Sequence, residues 1–349
     1  MASDPIDVPG VNNPKIEASI GELIDRVGSG CTSIEKDLVT QMMKTSLRML
    51  QETHHSGQLK LMSSALKEMR YAYHIFNDYQ DTRKVSIFGS ARTPSDHPDY
   101  VAASVFSQGM AKAGWMVITG GGDGIMKAGH DGLTSQSIFG LAIRLPFETS
   151  ANEIIEGDSK LINFRYFFTR KLMFLTNADA IVAFPGGFGT MDELFETLTL
   201  VQTGKSHMLP IVLVEGEDGV YWKNWLEMIK VNFVQNGWIS PEDLDLFYLA
   251  PSLDDAVSHI TTFYSIYHSS RFVRGDFVLR LNQSLSEQAV ASLNSEFSDI
   301  VEEGEITQTD ALPGETLCLD LPRLVFRFTR RNIGRLRMMI DRINELGNK

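Results

Sequence analysis

Apolar residues recur along this chain with three different spacings, and the changes in spacing divide it. Over residues 1–83 the period is helical. Leu59, Met62, Leu66, Met69, Tyr73 and Phe76 follow one another at intervals of three and four, which lines them up on one helix face. Lys60, Lys67, Glu68 and Arg70 fall mostly off that seam. An earlier helix carrying Ile34, Leu38, Met42 and Met49 is expected to begin at Ser33, a residue type that caps helix N-termini. The two read as a helical extension packed on the main domain or on a partner subunit. A cofactor box built from methionines is the weaker alternative.

From Lys84 the pattern becomes short apolar runs. VSIFG, GWMVITGGG, FGLAIRLP, ADAIVAFPGG and LPIVLVEG are β-branched or aromatic stretches without clean alternation, as strands covered on both faces are. Helical stretches at 99–113, 125–133, 167–177 and 191–203 separate them. Such alternation predicts an α/β fold with a doubly wound parallel sheet, whose ligands lie beyond the carboxyl ends of the strands. Past residue 267 the pattern shifts again. DFVLRL reads as a strand, SEQAVASLNSEFSDIV as a helix, GEITQTD as a strand or turn and PRLVFRFTR as a further strand. The expected organisation is therefore a helical extension over 1–83, a nucleotide-binding domain over 84–266 and a small C-terminal α+β appendage over 267–349. Dimerisation, regulation and lid formation all remain open for the appendage.

Composition removes several classes. The 349 residues are 43% hydrophobic and 22% charged, with a formal net charge of −12. That balance argues against a nucleic-acid partner, although FTRRNIGRLRMMIDR is locally basic. Cys31 and Cys318 stand far apart without metal-ligand spacing, and the histidines, His54 and His55 included, form no ligand pattern. No metal is expected. No apolar run reaches about 18 residues, and MASDPIDVPG lacks a signal-peptide core. The expectation is a cytoplasmic protein without a membrane partner.

Three glycine clusters fall at strand ends. Gly89-Ser90-Ala91-Arg92 is a turn with a hydroxyl and a cation, weak by itself. TGGGDGIM opens a helix behind glycines, where backbone N–H groups face a cleft. Its spacing is neither the dinucleotide fingerprint nor a Walker A loop, which disfavours a nicotinamide dehydrogenase. Glycines kept for helix–strand packing are the bland alternative. PGGFGTMDE, Pro185 to Glu193, is the most specific feature. Thr190 falls where an N-cap belongs, and the N–H groups of Gly187, Gly189 and Thr190 suit a phosphate. Thr190-x-x-Glu193 is also a capping box. On spacing alone that reading of Glu193 stands ahead of a catalytic one.

The run Pro185-Gly186-Gly187-x-Gly189-Thr190-x-x-Glu193, with Arg170-Lys171 twenty-three residues ahead of the glutamate, resembles the Lonely Guy family, whose members long carried the name lysine decarboxylase. GGGDGIM, LPFE and PIVLV…YWKNW match in order, so the resemblance spans roughly residues 84–264. The flanks resemble a longer bacterial subgroup. The resemblance implies a Rossmann-like fold and hydrolysis of the N-glycosidic bond of a nucleoside 5′-monophosphate without metal or cofactor, releasing free base and ribose 5-phosphate. Plant-type members act on cytokinin riboside monophosphates and many bacterial ones on AMP or other purine monophosphates. It also implies a homodimer or higher homo-oligomer.

By position, Arg170 and Glu193 would be catalytic. Together with the glycine clusters, the implied substrate contacts are Gly89, Ser90, Gly121, Gly122, Glu148, Lys171, Gly186, Gly187, Phe188, Gly189, Thr190, Met191, Asp192 and Thr199. A carboxylate suits a reaction that develops positive charge on ribose. Arg170 could clamp phosphate or ribose, or assist the leaving base; an exposed helix arginine is its bland alternative. Lys127 stands where many bacterial relatives carry an acid, which puts a cation near the expected cleft. His130 is read as a helix-packing residue ahead of a base contact. A non-hydrolytic nucleotide-sensing module is the alternative from another class, while lysine decarboxylation lacks a recognisable cofactor-anchoring lysine.

Overall fold

A computed structural model describes residues 13–52, 55–144 and 151–348. The chain divides into two compact units, 1–70 and 71–349. In the first, α1 (Pro14–Val27) and α2 (Ser33–Arg48) form a hairpin tied by ion pairs of Lys36 with Asp25 at 2.9 Å and Lys44 with Glu17 at 2.5 Å. Thr32, not Ser33, caps α2. Its hydroxyl accepts from the Glu35 N–H while the Glu35 carboxylate accepts from the Thr32 N–H, a reciprocal box that satisfies two otherwise orphaned donors. Ile34, Leu38 and Met42 are exposed, so the apolar seam of α2 is not core in this chain. Helix α3 (Ser56–Asn77) runs on into the second unit, where Phe76 stacks on Phe139 at 4.5 Å.

The second unit begins with β1 (Lys84–Phe88), α4 (Pro98–Lys112), β2 (Met116–Thr119), α5 (Ile125–Ala128), β3 (Ile138–Ile143) and β4 (Leu161–Phe164). It continues with α6 (Phe167–Thr176), β5 (Ala180–Ala183), α7 (Phe188–Gln202), β6 (Ile211–Leu213), α8 (Tyr221–Ile229), β7 (Tyr248–Leu249) and α9 (Leu253–Phe263). The strands make one parallel sheet in the order β4-β3-β2-β1-β5-β6-β7. This is a Rossmann-like doubly wound sheet. Val85, Ile87, Val117, Ala180 and Val182 are wholly buried, which is why these runs showed no alternation. β4 and β7 were not anticipated; β4 has one exposed position among its four and β7 has only two residues. The helix after GGGDG stops at Ala128 instead of 133, since Gly129 follows and Gly132 has a positive φ.

The chain winds outward from β1 to β4, then returns to place β5 on the other flank of β1. That reversal is a topological switch point, where crossover helices diverge and leave a crevice beyond the strand ends.

A second, antiparallel sheet follows: β8 (Tyr267–Val273), β9 (Asp276–Leu281), α10 (Glu287–Glu296), β10 (Thr307–Thr309), β11 (Arg323–Phe326) and α11 (Ile333–Gly347), in strand order β10-β11-β9-β8. β8 had not been anticipated from YHSSRFV, whose polar centre masks its strand character. Asn344 of α11 accepts from the Ile266 and Tyr267 N–H groups, both at 2.9 Å, and donates to the Phe263 carbonyl at 2.7 Å. One buried amide thus joins α9, β8 and α11. Among the described residues no helix is long and apolar enough to cross a membrane.

Glu315 lies between two buried guanidiniums. It accepts from Arg280 Nη2 at 2.6 Å, from Arg323 Nε at 3.1 Å and from the Leu312 N–H at 3.1 Å, with its side chain fully inaccessible. Burial opposes its charge, but the bonds from Arg323, Arg280 and Leu312 outweigh it and hold the carboxyl at about 2. Glu315→Ala leaves two buried cations without their carboxylate, and we expect a loss of about 3–5 kcal/mol in denaturant unfolding at neutral pH. Because the folded carboxyl lies below its ordinary 4.5, the stabilisation is complete above that value and is lost as pH falls toward 2. The gap between wild type and variant should narrow over that window.

Candidate active site

The crevice at the switch point is a cleft of about 1170 Å³. Its lining takes in the ends of β1 and β3 and the loops that follow β1, β2 and β5. The loops there touch: the Ser90 N–H donates to the Pro185 carbonyl at 3.1 Å, and the Ile125 N–H donates to the Ser90 carbonyl at 3.0 Å. Gly186 sits in the tightest place. A Cβ on it would lie 2.1 Å from Thr190 Oγ1 and 2.9 Å from the Ser90 nitrogen, so any side chain forces the loops apart. Gly124, φ +60, would bring a Cβ within 2.3 Å of the Ser90 carbonyl oxygen. Tyr221, at the start of α8, donates its hydroxyl to the Gly186 carbonyl at 2.6 Å and holds the loop from above.

Helix α7 begins three residues earlier than its sequence spacing suggested. Its N-cap is Gly187, which has no side chain to cap with, and Phe188 is its first residue. The first N–H groups of the helix, from Phe188 to Thr190, therefore open into the cleft beside the positive end of the helix dipole, a setting made for an anion. The early start also removes the capping-box reading. Thr190 is already inside the first turn, and Glu193 lies in the second, buried at 8% exposure. A capping box needs its threonine at the N-cap and its glutamate three residues on; here Gly187 holds the N-cap, so Thr190 and Glu193 do not form one.

Burial raises the Glu193 carboxyl to about 7, against the pull of Arg170 and Lys171 and with the repulsion of Glu196 and Asp192. Arg170, on α6, faces it across the cleft. Its Nε donates to the Leu141 carbonyl at 2.7 Å, and its Nη2 stands 2.5 Å from where a Gly120 Cβ would be. This is a guanidinium fixed against the β2 and β3 ends, not a free surface arginine.

Of the positions singled out from sequence, Gly89, Ser90, Gly121, Gly122, Arg170, Gly186, Gly187, Phe188, Gly189, Thr190, Met191, Asp192 and Glu193 all line the cleft. Lys171 does not. Its ammonium is held by Asp192 at 2.7 Å and Glu196 at 2.8 Å, bridging α6 to α7. Thr199 is exposed two turns further along α7, its hydroxyl turned back to the Phe195 carbonyl. Glu148 lies outside the described residues, as does His54. Lys127 pairs with Glu153 at 2.7 Å and is not part of the lining. His130 is wholly buried, its Nε2 3.0 Å from the Phe139 carbonyl and 3.1 Å from Thr119 Oγ1, and burial pushes it down to about 4. Its place is in the packing of the fold.

Sequence reasoning passed over Tyr221, Arg144, Asn163 and Phe167, which also line the cleft. Tyr221 stood in the quoted YWKNW without being given a role, and the other three lie on strand or helix ends that no motif marks. Among the described residues no group of three or more His, Cys, Asp or Glu side chains is placed to hold a metal.

Residues 123–260 match a protein-family model described as "Possible lysine decarboxylase". Among named relatives, a probable cytokinin riboside 5′-monophosphate phosphoribohydrolase of Oryza sativa subsp. japonica is 28% identical over 187 residues, covering 51% of this chain and 76% of the relative. A second probable enzyme of that name from the same plant is 26% identical over 226 residues, covering 62% and 86%. A solved structure of the molybdenum cofactor carrier protein from Chlamydomonas reinhardtii aligns at 18% identity with a TM-score of 0.36, covering 52% of this chain and 96% of its own.

The raised Glu193 carboxyl has a thermodynamic signature. A folded value of about 7 against an ordinary 4.5 means that wild type loses stability as pH rises from 4.5 through 7 and the buried group must ionise. Glu193→Gln removes that cost. Its unfolding free energy in denaturant should exceed that of wild type above neutrality, by on the order of 3 kcal/mol at about pH 8, and match it near pH 4.5.

Proposed function

The chain belongs to the Lonely Guy family over its parallel-sheet region, and from that premise we propose that it is a phosphoribohydrolase. It cleaves the N-glycosidic bond of a nucleoside 5′-monophosphate, such as AMP or a cytokinin riboside monophosphate, and releases free base and ribose 5-phosphate. The observation that carries this reading is the place of Glu193: a buried carboxylate in the second turn of α7, below an uncapped N-terminus and across from Arg170.

In this reading the phosphate lies on the N–H groups of Phe188, Gly189 and Thr190, where the helix dipole favours it. The ribose then extends along the cleft past the second turn of α7. As the bond from C1′ to the base nitrogen lengthens, its electron pair leaves with the base and positive charge grows on C1′ and the ring oxygen. The Glu193 carboxylate stabilises that charge and takes a proton from water as its oxygen bonds to C1′. The proton is finally delivered to the departing base nitrogen, which balances the step. Arg170, fixed by the Leu141 carbonyl, holds ribose or phosphate oxygens in line. Lys171 pairs with both Asp192 and Glu196, and of the acids on this stretch of α7 Glu193 meets the sugar.

The reading includes a cytoplasmic homodimer or larger assembly. Phe168 and Leu172 on α6 and Phe188, 97% exposed, offer apolar surface for it beside the cleft.

A chromatographic screen of nucleoside 5′-monophosphates tests the proposal. Wild type should release base, and Glu193→Gln should lower turnover roughly 10³-fold with nucleotide affinity kept within a few fold. Release unchanged in that variant would remove Glu193 from the chemistry, while binding without any release by wild type would leave a nucleotide sensor. The reactive form is ionised Glu193, so kcat/KM should fall as pH drops through about 7.

A further inference from the structure

The cleft extends well past the phosphate end, and its far end has chemistry of its own. Strand order places β3 three steps from β5, about 14 Å at the spacing of neighbouring strands, comparable to the length of a nucleoside monophosphate. At that end stand Arg144, Asn163 and Phe167, all lining the same cleft. The parallel register pairs Ala142 with Asn163, and the Arg144 N–H donates to the Phe164 carbonyl at 2.9 Å. Two residues beyond Ala142, Arg144 shares a sheet face with Asn163. Among the described residues nothing accepts a hydrogen bond from the Arg144 guanidinium, and no carboxylate pairs with it. Phe167, at the first position of α6, is 52% exposed.

We propose that this end of the cleft seats the base through its carbonyl edge, so that 6-oxopurine monophosphates, those of guanine and hypoxanthine, are taken in preference to 6-aminopurine ones. The proposal rests on the reading of the cleft as a nucleoside-monophosphate site and goes beyond it by naming the base. A guanidinium carries five donors and no acceptor. Guanine and hypoxanthine present two acceptors, O6 and N7, to such a fork, whereas adenine presents N7 beside an amino donor that meets the guanidinium donor to donor. The Asn163 carboxamide supplies the acceptor that N1–H of a 6-oxopurine requires. Phe167 offers a ring face for stacking, which is tolerant of base identity. Discrimination thus falls to Arg144 and Asn163.

The test measures base release from GMP, IMP and AMP by wild type, Arg144→Ala and Asn163→Ala. In parallel, the thermal shift produced by each nucleotide is read on the same proteins in the Glu193→Gln background. Wild type should favour GMP and IMP, and Arg144→Ala should lower kcat/KM for them roughly 10- to 100-fold while changing AMP less than about threefold. Asn163→Ala should act in the same direction. Release that favours AMP, or that falls equally for all three in Arg144→Ala, overturns the base seat and leaves hydrolysis standing. Selective stabilisation by GMP and IMP, lost in Arg144→Ala but without release by wild type, supports the base seat and overturns hydrolysis. Neither release nor stabilisation overturns both.

Discussion

The contact between the loops that follow β1 and β5 is the constraint from which the site is built. Parallel strands at a switch point have crossover helices leaving in opposite directions, and the gap between them is filled only if the two loops can meet. Here they meet backbone to backbone, with the Ser90 N–H on the Pro185 carbonyl and Gly186 pressed between Ser90 and Thr190. The absence of a side chain at Gly186 lets α7 start close over the sheet. A helix seated that low must bury its second turn, and Glu193 is in that turn. The same approach therefore creates both the open N-terminus that suits an anion and the desolvated carboxylate behind it.

Acids beside an anion site are an electrostatic conflict, and the structure resolves it by position. Asp192 and Glu196 turn toward Lys171, whose single ammonium meets both. Glu193 also lines the cleft, but it is buried, and its carboxyl is raised to about 7. A carboxylate that is costly to ionise in the empty site gains most when positive charge develops beside it, which is what cleavage of a glycosidic bond generates. Arg170 is set against the same wall by the Leu141 carbonyl. A guanidinium so placed adds positive potential that favours the ionised form of Glu193.

Elsewhere in the second unit, buried polar contacts tie the elements together. Asn344 binds three backbone groups at the junction of α9 and β8, and the Arg280–Glu315–Arg323 cluster closes the interior of the antiparallel sheet with its polar atoms paired. Buried charge of this kind is retained only when every partner is present, because each ion stripped of its partner is left in a medium that cannot solvate it. The exposed apolar seam of α2 is a different matter. Ile34, Leu38 and Met42 have the spacing of a packed face and the accessibility of an unpacked one.

Much of this was legible in the residues themselves. Buried parallel strands show as unbroken β-branched runs, and glycines at strand ends mark where backbone must come close, so five strands of the parallel sheet and the glycine loops of the cleft could be placed from local pattern and motif. What local pattern could not decide was the start of α7. Thr190-x-x-Glu193 satisfies the spacing of a capping box, and nothing nearby contradicts it. Only the packing of Gly186 against the β1 loop draws the helix start back to Phe188 and makes Glu193 interior. In the same way Lys171 and Lys127 read as cleft cations until their partners on α7 and at Glu153 are seen. Arg144 and Asn163 meet only because β3 and β4 pair in one register. Spacing along the chain determines which groups exist and which element carries them; contacts between residues distant in sequence decide which are desolvated, which are neutralised, and which are left facing the cleft.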